Sequence, residues 1–229
     1  MPGAMREPTK SRDRMMEVAK IEPKVYSSSL EFDWREQQII LCATEAFLSK
    51  GYAAANVEDI ANKANVGKPT IYRIFDDKYG LATAVLQYLA NDLEKACRSA
   101  IDMDADPEEC LVKLGITYIR WMKKSIGKTH NYAILRLLTE MSGPFPEFTQ
   151  IWREAGSRAT AIPLSEYISA RMESGELVGD DPFFIASQFM GSVYHTAQSV
   201  LSENDFNSDI DLTRKKVQLF LGGCTRRGS

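Results

Sequence analysis

The sequence predicts an all-α chain in two parts, a three-helix unit with a helix-turn-helix near the N-terminus and a larger helical body after it. Three observations carry that prediction. Apolar residues recur at helical spacing over most of the chain, and the strict alternation of half-buried strands is nearly absent. Helix-start residues, Asp33, Asn56, Asp77 and Asp106, stand ahead of the periodic stretches, and Gly or Pro often marks their ends. Two short helical stretches flank Asn65-Val66-Gly67, and Ala61, Ala64 and Gly67 are small enough to let them cross closely.

Composition removes several function classes. The 229 residues are 44% hydrophobic and 26% charged, ordinary for a globular protein. Lys plus Arg is 28 against 31 for Asp plus Glu, so a nucleic-acid surface has to be local. The longest apolar runs, such as 39–43, are about five residues, far below the ~18 of a membrane helix. The first thirty residues lack an apolar signal core. A soluble, cytoplasmic protein with no membrane partner is expected. Four scattered cysteines, with no C-x-x-C, and two histidines give no zinc spacing. Nucleophile-elbow, metalloprotease, P-loop and dinucleotide-binding patterns are missing too, so no enzyme, metal or cofactor is expected.

Residues 1–32 hold six basic and five acidic residues and a run of three serines, and read as a flexible arm. Residues 33–82 form the small unit. Its first helix starts at the Asp33/Glu36 capping box, carries Ile39, Ile40, Ala43, Ala46 and Phe47, and stops at Lys50-Gly51. The second follows Asn56, an N-cap with Glu58 and Asp59 in the first turn. The third spans 68–75, with Pro69 tolerated where no N–H is needed. Asp76-Asp77 opens a fourth helix from Lys78 to about Ala100, and Gly80 in its first turn costs ~1 kcal/mol relative to Ala.

The body spans 83–222. A fifth helix begins at Asp106-Pro107-Glu108-Glu109 and carries Leu111, Leu114, Tyr118, Trp121 and Met122. A sixth is expected over 129–141, ended by Gly143-Pro144. A seventh runs 146–174, kinked at Pro163. The eighth, 182–201, is apolar on two faces, which fits burial against its own domain on one side and a second subunit on the other. The ninth spans 212–222, and 223–229 form a flexible tail.

The stretches A-F-L-S-K-G-Y, V-E-D-I-A-N-K-A-N-V-G-K-P-T-I-Y-R-I-F and D-D-K-Y-G-L resemble the DNA-binding domain of TetR-family transcriptional regulators. The segments E-M-S-G-P-F-P-E-F, L-S-E-Y-I-S, G-E-L, D-D-P and A-S-Q-F-M resemble the C-terminal domain of its AefR-like subset. The resemblance implies a homodimer on double-stranded operator DNA, released by a small-molecule effector. Its DNA-contact positions are Asn56, Lys68, Pro69, Thr70, Tyr72, Arg73 and Lys78. Lys68 would donate to guanine O6 and N7, and Pro69 would touch a thymine methyl. Thr70 would serve base or phosphate, and Tyr72 and Lys78 would clamp phosphates. Arg73 is either a contact or a solvated charge. Gly67 departs from the usual Ser or Thr cap, Ile74 from a Tyr or His, and Gly80 from a Glu.

An effector pocket lined by aromatic and apolar residues with a few polar groups would draw on Thr117, Tyr118, Trp121, Met122, His130, Tyr132, Arg136, Trp152 and Phe189. Phe184, Gly191, His195, Val217 and Phe220 are the candidate dimer interface. The expected activity is repression relieved by the effector. The alternatives are an activator, a ligand-independent DNA binder, or a helical enzyme using His195 with Tyr194 or Asp181.

Overall fold

Asp33 opens α1 (Trp34–Lys50): its carboxylate accepts the backbone N–H groups of Arg35 and Glu36 at 2.8 Å, and Glu36 accepts the Asp33 N–H at 3.0 Å. The structure is a computed structural model that describes residues 32–199 and 206–224. The arm expected at 1–32 lies outside the described residues except for Phe32, which is buried and whose carbonyl accepts the Gln37 amide. Ile39, Ile40, Ala43, Phe47 and Leu48 turn one face of α1 inward, against α2 (Val57–Lys63) and α4 (Lys78–Ala100). Between these two lies α3 (Lys68–Phe75).

Gly80 has a different role from the one propensity suggests. Asp77 caps α4 by accepting the Gly80 N–H at 2.7 Å. A Cβ at Gly80 would overlap the Phe75 carbonyl oxygen. The glycine therefore lets the end of α3 press against the start of α4, and fastens the two helices together.

α4 is the spine of the body, packing on α5 (Pro107–Lys123) and α7 (Pro146–Ala159) as well as on α1. Thr129 and His130, expected to begin a sixth helix, form instead the second strand of an antiparallel hairpin, β1 (Ser125–Ile126) with β2 (Thr129–His130). Gly127, at φ +60°, makes its turn. A 3-10 turn (Asn131–Ala133) follows, and α6 (Ile134–Ser142) starts only there. Buried Asn131 secures the hairpin, its amide donating to the Trp121 carbonyl at 2.8 Å.

The expected seventh helix is two helices, α7 and α8 (Ala161–Glu173), separated at Thr160 rather than kinked at Pro163. Thr160 leaves helical geometry at φ −127°, and its hydroxyl donates back to the Gly156 carbonyl at 2.8 Å. Pro163 sits in the first turn of α8, where its missing N–H has no intrahelical use.

α9 (Pro182–Ser199) packs on α8 and α5, and α10 (Phe206–Cys224) packs on α5 and α9. α10 starts earlier than expected and its end reaches Cys224, whose carbonyl accepts the Val178 N–H at 2.8 Å. The remainder of the expected tail, 225–229, lies outside the described residues. Cys42, Cys97 and Cys110 are buried and Cys224 is half-buried; all four are free. Burial pushes their thiols up, Cys97 to about 12. Among the described residues no cluster of His, Cys, Asp and Glu could hold a metal, and no helix is long and apolar enough to cross a membrane.

Candidate nucleic-acid interface

The turn between α2 and α3 is held by its own backbone. The Val66 N–H donates to the Ala61 carbonyl at 3.0 Å, and Asn65 takes φ +54°. Gly67 caps α3 without a side-chain bond, and the Thr70 N–H meets the Gly67 carbonyl at 2.8 Å. Asn56 caps α2, its side-chain oxygen accepting the Glu58 N–H at 2.9 Å.

α3 is divided cleanly by solvent. Ile71 and Phe75 are 0% and 1% exposed and anchor it to the unit's core. Pro69, Tyr72 and Arg73 are exposed, and Lys68 and Thr70 half-buried. The Lys68 ammonium lies 3.6 Å from the Glu58 carboxylate and 5.9 Å from the Tyr72 ring centroid. An exposed pair of this kind contributes little and exchanges readily for another anion.

Lys78 is placed differently from a free phosphate clamp. Its ammonium donates to the Ala53 carbonyl at 3.3 Å and sits 4.8 Å from the Tyr52 ring centroid. Burial pulls its pKa below the ordinary lysine value, and the Glu140 carboxylate pulls it back up.

Sequence reasoning missed part of this surface. Trp34, Arg35 and Gln38 line a groove of about 550 Å³ together with Lys63, Asn65 and Thr70. Trp34 is 75% exposed, with the Arg35 guanidinium 5.3 Å from its ring centroid. The available signal was a tryptophan at the start of α1, outside the apolar period of that helix.

Two family models match the chain: the tetR family of bacterial regulatory proteins over residues 39–85, and the C-terminal domain of AefR-like transcriptional repressors over 110–202. Together they span more than half of the sequence and take in both the helix-turn-helix and the body. The chain belongs to the TetR family. TetR-family proteins are transcriptional regulators, not enzymes.

Among curated relatives, the activator FasR of Mycolicibacterium smegmatis is 37% identical over 79 residues, 34% of this chain and 36% of FasR. The regulator EthR of the same organism is 28% identical over 121 residues, 52% of this chain and 53% of EthR. The chain thus spans about a third to a half of the length of these two relatives. A solved TetR-family structure from Mesorhizobium loti has a TM-score of 0.75 at 23% identity, covering 83% of this chain and 96% of that one. The regulator FrrA has a TM-score of 0.69 at 23% identity, covering 85% and 98%.

The TetR-type body contains a cavity of about 390 Å³ bounded by α4, α5, α7, α8 and α9. Leu93, Tyr118, Trp152, Met190 and Tyr194 give it an apolar and aromatic lining, with Ser157, Thr160, Ser187 and Arg153 as polar groups. Of the expected pocket residues only Tyr118 and Trp152 line it. The others lie elsewhere. The hairpin carries His130 and Tyr132 away, stacked on each other at 5.4 Å, and the His130 ring is held by Ser125 and the Lys123 carbonyl. Arg136 reaches α1 instead. Trp121 donates to Asp92 at 2.8 Å and, with Thr117, lines an outer groove. Met122 is buried, and Phe189 is buried with its ring centroid 5.2 Å from that of Phe220.

The candidate dimer residues also separate. Phe184, Gln188, Gly191 and His195 are exposed at a 4-3-4 spacing, one stripe on α9. Leu219 on α10 is 82% exposed. Val217 is corrected: it is fully buried within its own chain and cannot face a partner. Phe220 is half-buried, engaged with Phe189.

Proposed function

We propose that the protein is a homodimeric, cytoplasmic repressor that holds a pseudo-palindromic stretch of double-stranded DNA through α3 of each subunit. A small, largely apolar effector filling the cavity behind Trp152 and Tyr118 releases it. One observation carries the DNA reading: α3 spends Ile71 and Phe75 on its anchor and leaves Lys68, Pro69, Thr70, Tyr72 and Arg73 toward solvent. Such a helix enters the major groove with its N-terminal residues at the base edges. Two subunits then meet two half-sites about 34–36 Å apart.

The effector class rests on the cavity's own lining. Two proteins of similar fold are FrrA, a flavonoid-responsive regulator, and FadR of Bacillus subtilis, solved with stearoyl-CoA. At 23% and 20% identity they speak for the fold alone. Release requires the effector to bind the DNA-free arrangement more tightly, by about 10⁴-fold to carry the population from 1:99 to 99:1. The likeness to the activator FasR covers 34% of this chain. Repression is preferred because the AefR-like repressor model matches the body.

Duplexes selected from a random library by the wild-type dimer test the DNA reading and supply the operator. Lys68→Ala is expected to lose about 1–3 kcal/mol per half-site on the selected duplex and little on random DNA. An equal loss on both would make Lys68 a phosphate contact. Arg35→Ala is expected to weaken both duplexes alike and to lower the salt slope by about one per subunit. An unchanged slope across a salt titration would place Arg35 off the DNA.

A further inference from the structure

The corner between α1 and α2 is gripped by α6, an element of the body. Arg136 donates through Nη2 to the Leu48 and Ser49 carbonyls at 2.5 and 3.0 Å. These are among the last carbonyls of α1, which have no partner within the helix, and the guanidinium meets them at the negative end of the helix dipole. One turn along α6, Glu140 accepts the Tyr52 N–H at 2.9 Å and the Ala53 N–H at 2.6 Å, one on each carboxylate oxygen.

Gly51 sits between the two grips at φ +84°, and a Cβ there would overlap the Glu140 carboxylate. The absence of a side chain at this residue is what lets the carboxylate reach the corner. Lys78 adds its bond to the Ala53 carbonyl from the start of α4. Aromatic rings continue the contact: Tyr52 lies 5.7 Å from Phe145, and Phe145 lies 4.8 Å from Tyr79. The corner leads directly into α2 and then α3.

We propose that Arg136 and Glu140 are positioning residues for operator recognition. They touch no DNA. By holding both sides of the α1–α2 corner they fix the tilt of each α3 relative to the body, and so the separation of the two α3 helices in the dimer. The proposal rests on the DNA-binding function argued above. Charge-assisted hydrogen bonds suit this task because they are directional and strong. Arg136 is exposed and Glu140 half-buried, so the grip opens without unfolding the core.

The test uses the full-length dimer and the duplex selected by the wild type, rebuilt with its spacer lengthened or shortened by one or two base pairs. Glu140→Ala and Arg136→Ala are expected to keep helicity, dimerisation and affinity for an isolated half-site. Their preference for the selected spacer should fall about tenfold, the scale of one hydrogen bond to a charged group. Glu140→Gln and Arg136→Lys, which keep part of the hydrogen bonding, should restore part of the preference. Exchange of the Tyr52 and Ala53 amides, followed by NMR, should accelerate by at least about tenfold in Glu140→Ala while amides in α8 stay unchanged. A wild-type spacer profile in both alanine variants overturns the positioning role. Unchanged exchange at Tyr52 and Ala53 overturns the grip itself. Should the wild type select no duplex, the DNA-binding reading fails and the exchange measurement still decides the grip. Should either alanine variant fail to fold, the two conservative variants carry both measurements.

Discussion

Gly191→Arg is expected to give a folded monomer that has lost about 10²–10⁴-fold in operator affinity, the gain that linking two half-site contacts provides. Gly191 lies on the exposed stripe of α9 with Phe184, Gln188 and His195. A Cβ built there meets nothing within 4 Å in its own chain. An arginine is therefore accommodated by the isolated subunit, and replacing a helical glycine favours the helix by roughly 1 kcal/mol. Gly191 also borders the cavity between α4, α5, α7, α8 and α9, so the loss has to be matched by Phe184→Arg, at a residue outside that lining. Light scattering reads the mass and DNA retention reads the affinity. A variant that remains dimeric would move the interface off this stripe. Phe184→Arg, at a residue 59% exposed, is the companion change and should act in the same direction.

Gly80→Ala should destabilise the fold by about 1–3 kcal/mol, the range of overpacking a closely fitted site. The sign is the informative part. Helix propensity alone favours alanine by about 1 kcal/mol. Against it stands the overlap of the new Cβ with the Phe75 carbonyl, a backbone atom that cannot rotate away. Denaturant unfolding with an unchanged m-value would measure the difference cleanly. A gain in stability would mean that α3 and α4 separate at little cost.

Most helices were legible because their caps and apolar period agree. The α1 capping box, the Asn56 cap and the burial of Ile71 and Phe75 follow from residues that make the same local choice in any such setting. The hairpin was not legible. Its paired strands are two residues each, too short for an alternating pattern, and Gly127 fell in the link between the expected fifth and sixth helices. The α7–α8 break fell at Thr160, where no glycine or proline marks it, while the conspicuous Pro163 rests comfortably in a first turn.

These two misreadings explain the pocket. Once the hairpin takes 125–130, His130 and Tyr132 leave the body's interior, and Arg136 turns toward α1. Arg136 was expected in the effector pocket, and Glu140, four residues on, was given no role of its own. Their partners are backbone groups more than eighty residues away, which no local pattern announces. Val217 shows the same limit from the other side. An apolar stripe states that a face is covered, and it is silent on whether the cover comes from the same chain.

The sealed thiols have a consequence for how this regulator lives with oxidants. Cys42, Cys97 and Cys110 are buried in the fold, and burial pushes their thiols up, away from the thiolate that attacks disulfides and reacts with peroxide. Thiol reagents therefore meet half-buried Cys224 before these three in the folded chain. The three enclosed sulfurs become accessible only when the surrounding helices part. A chain that has opened is thereby marked at three further sites.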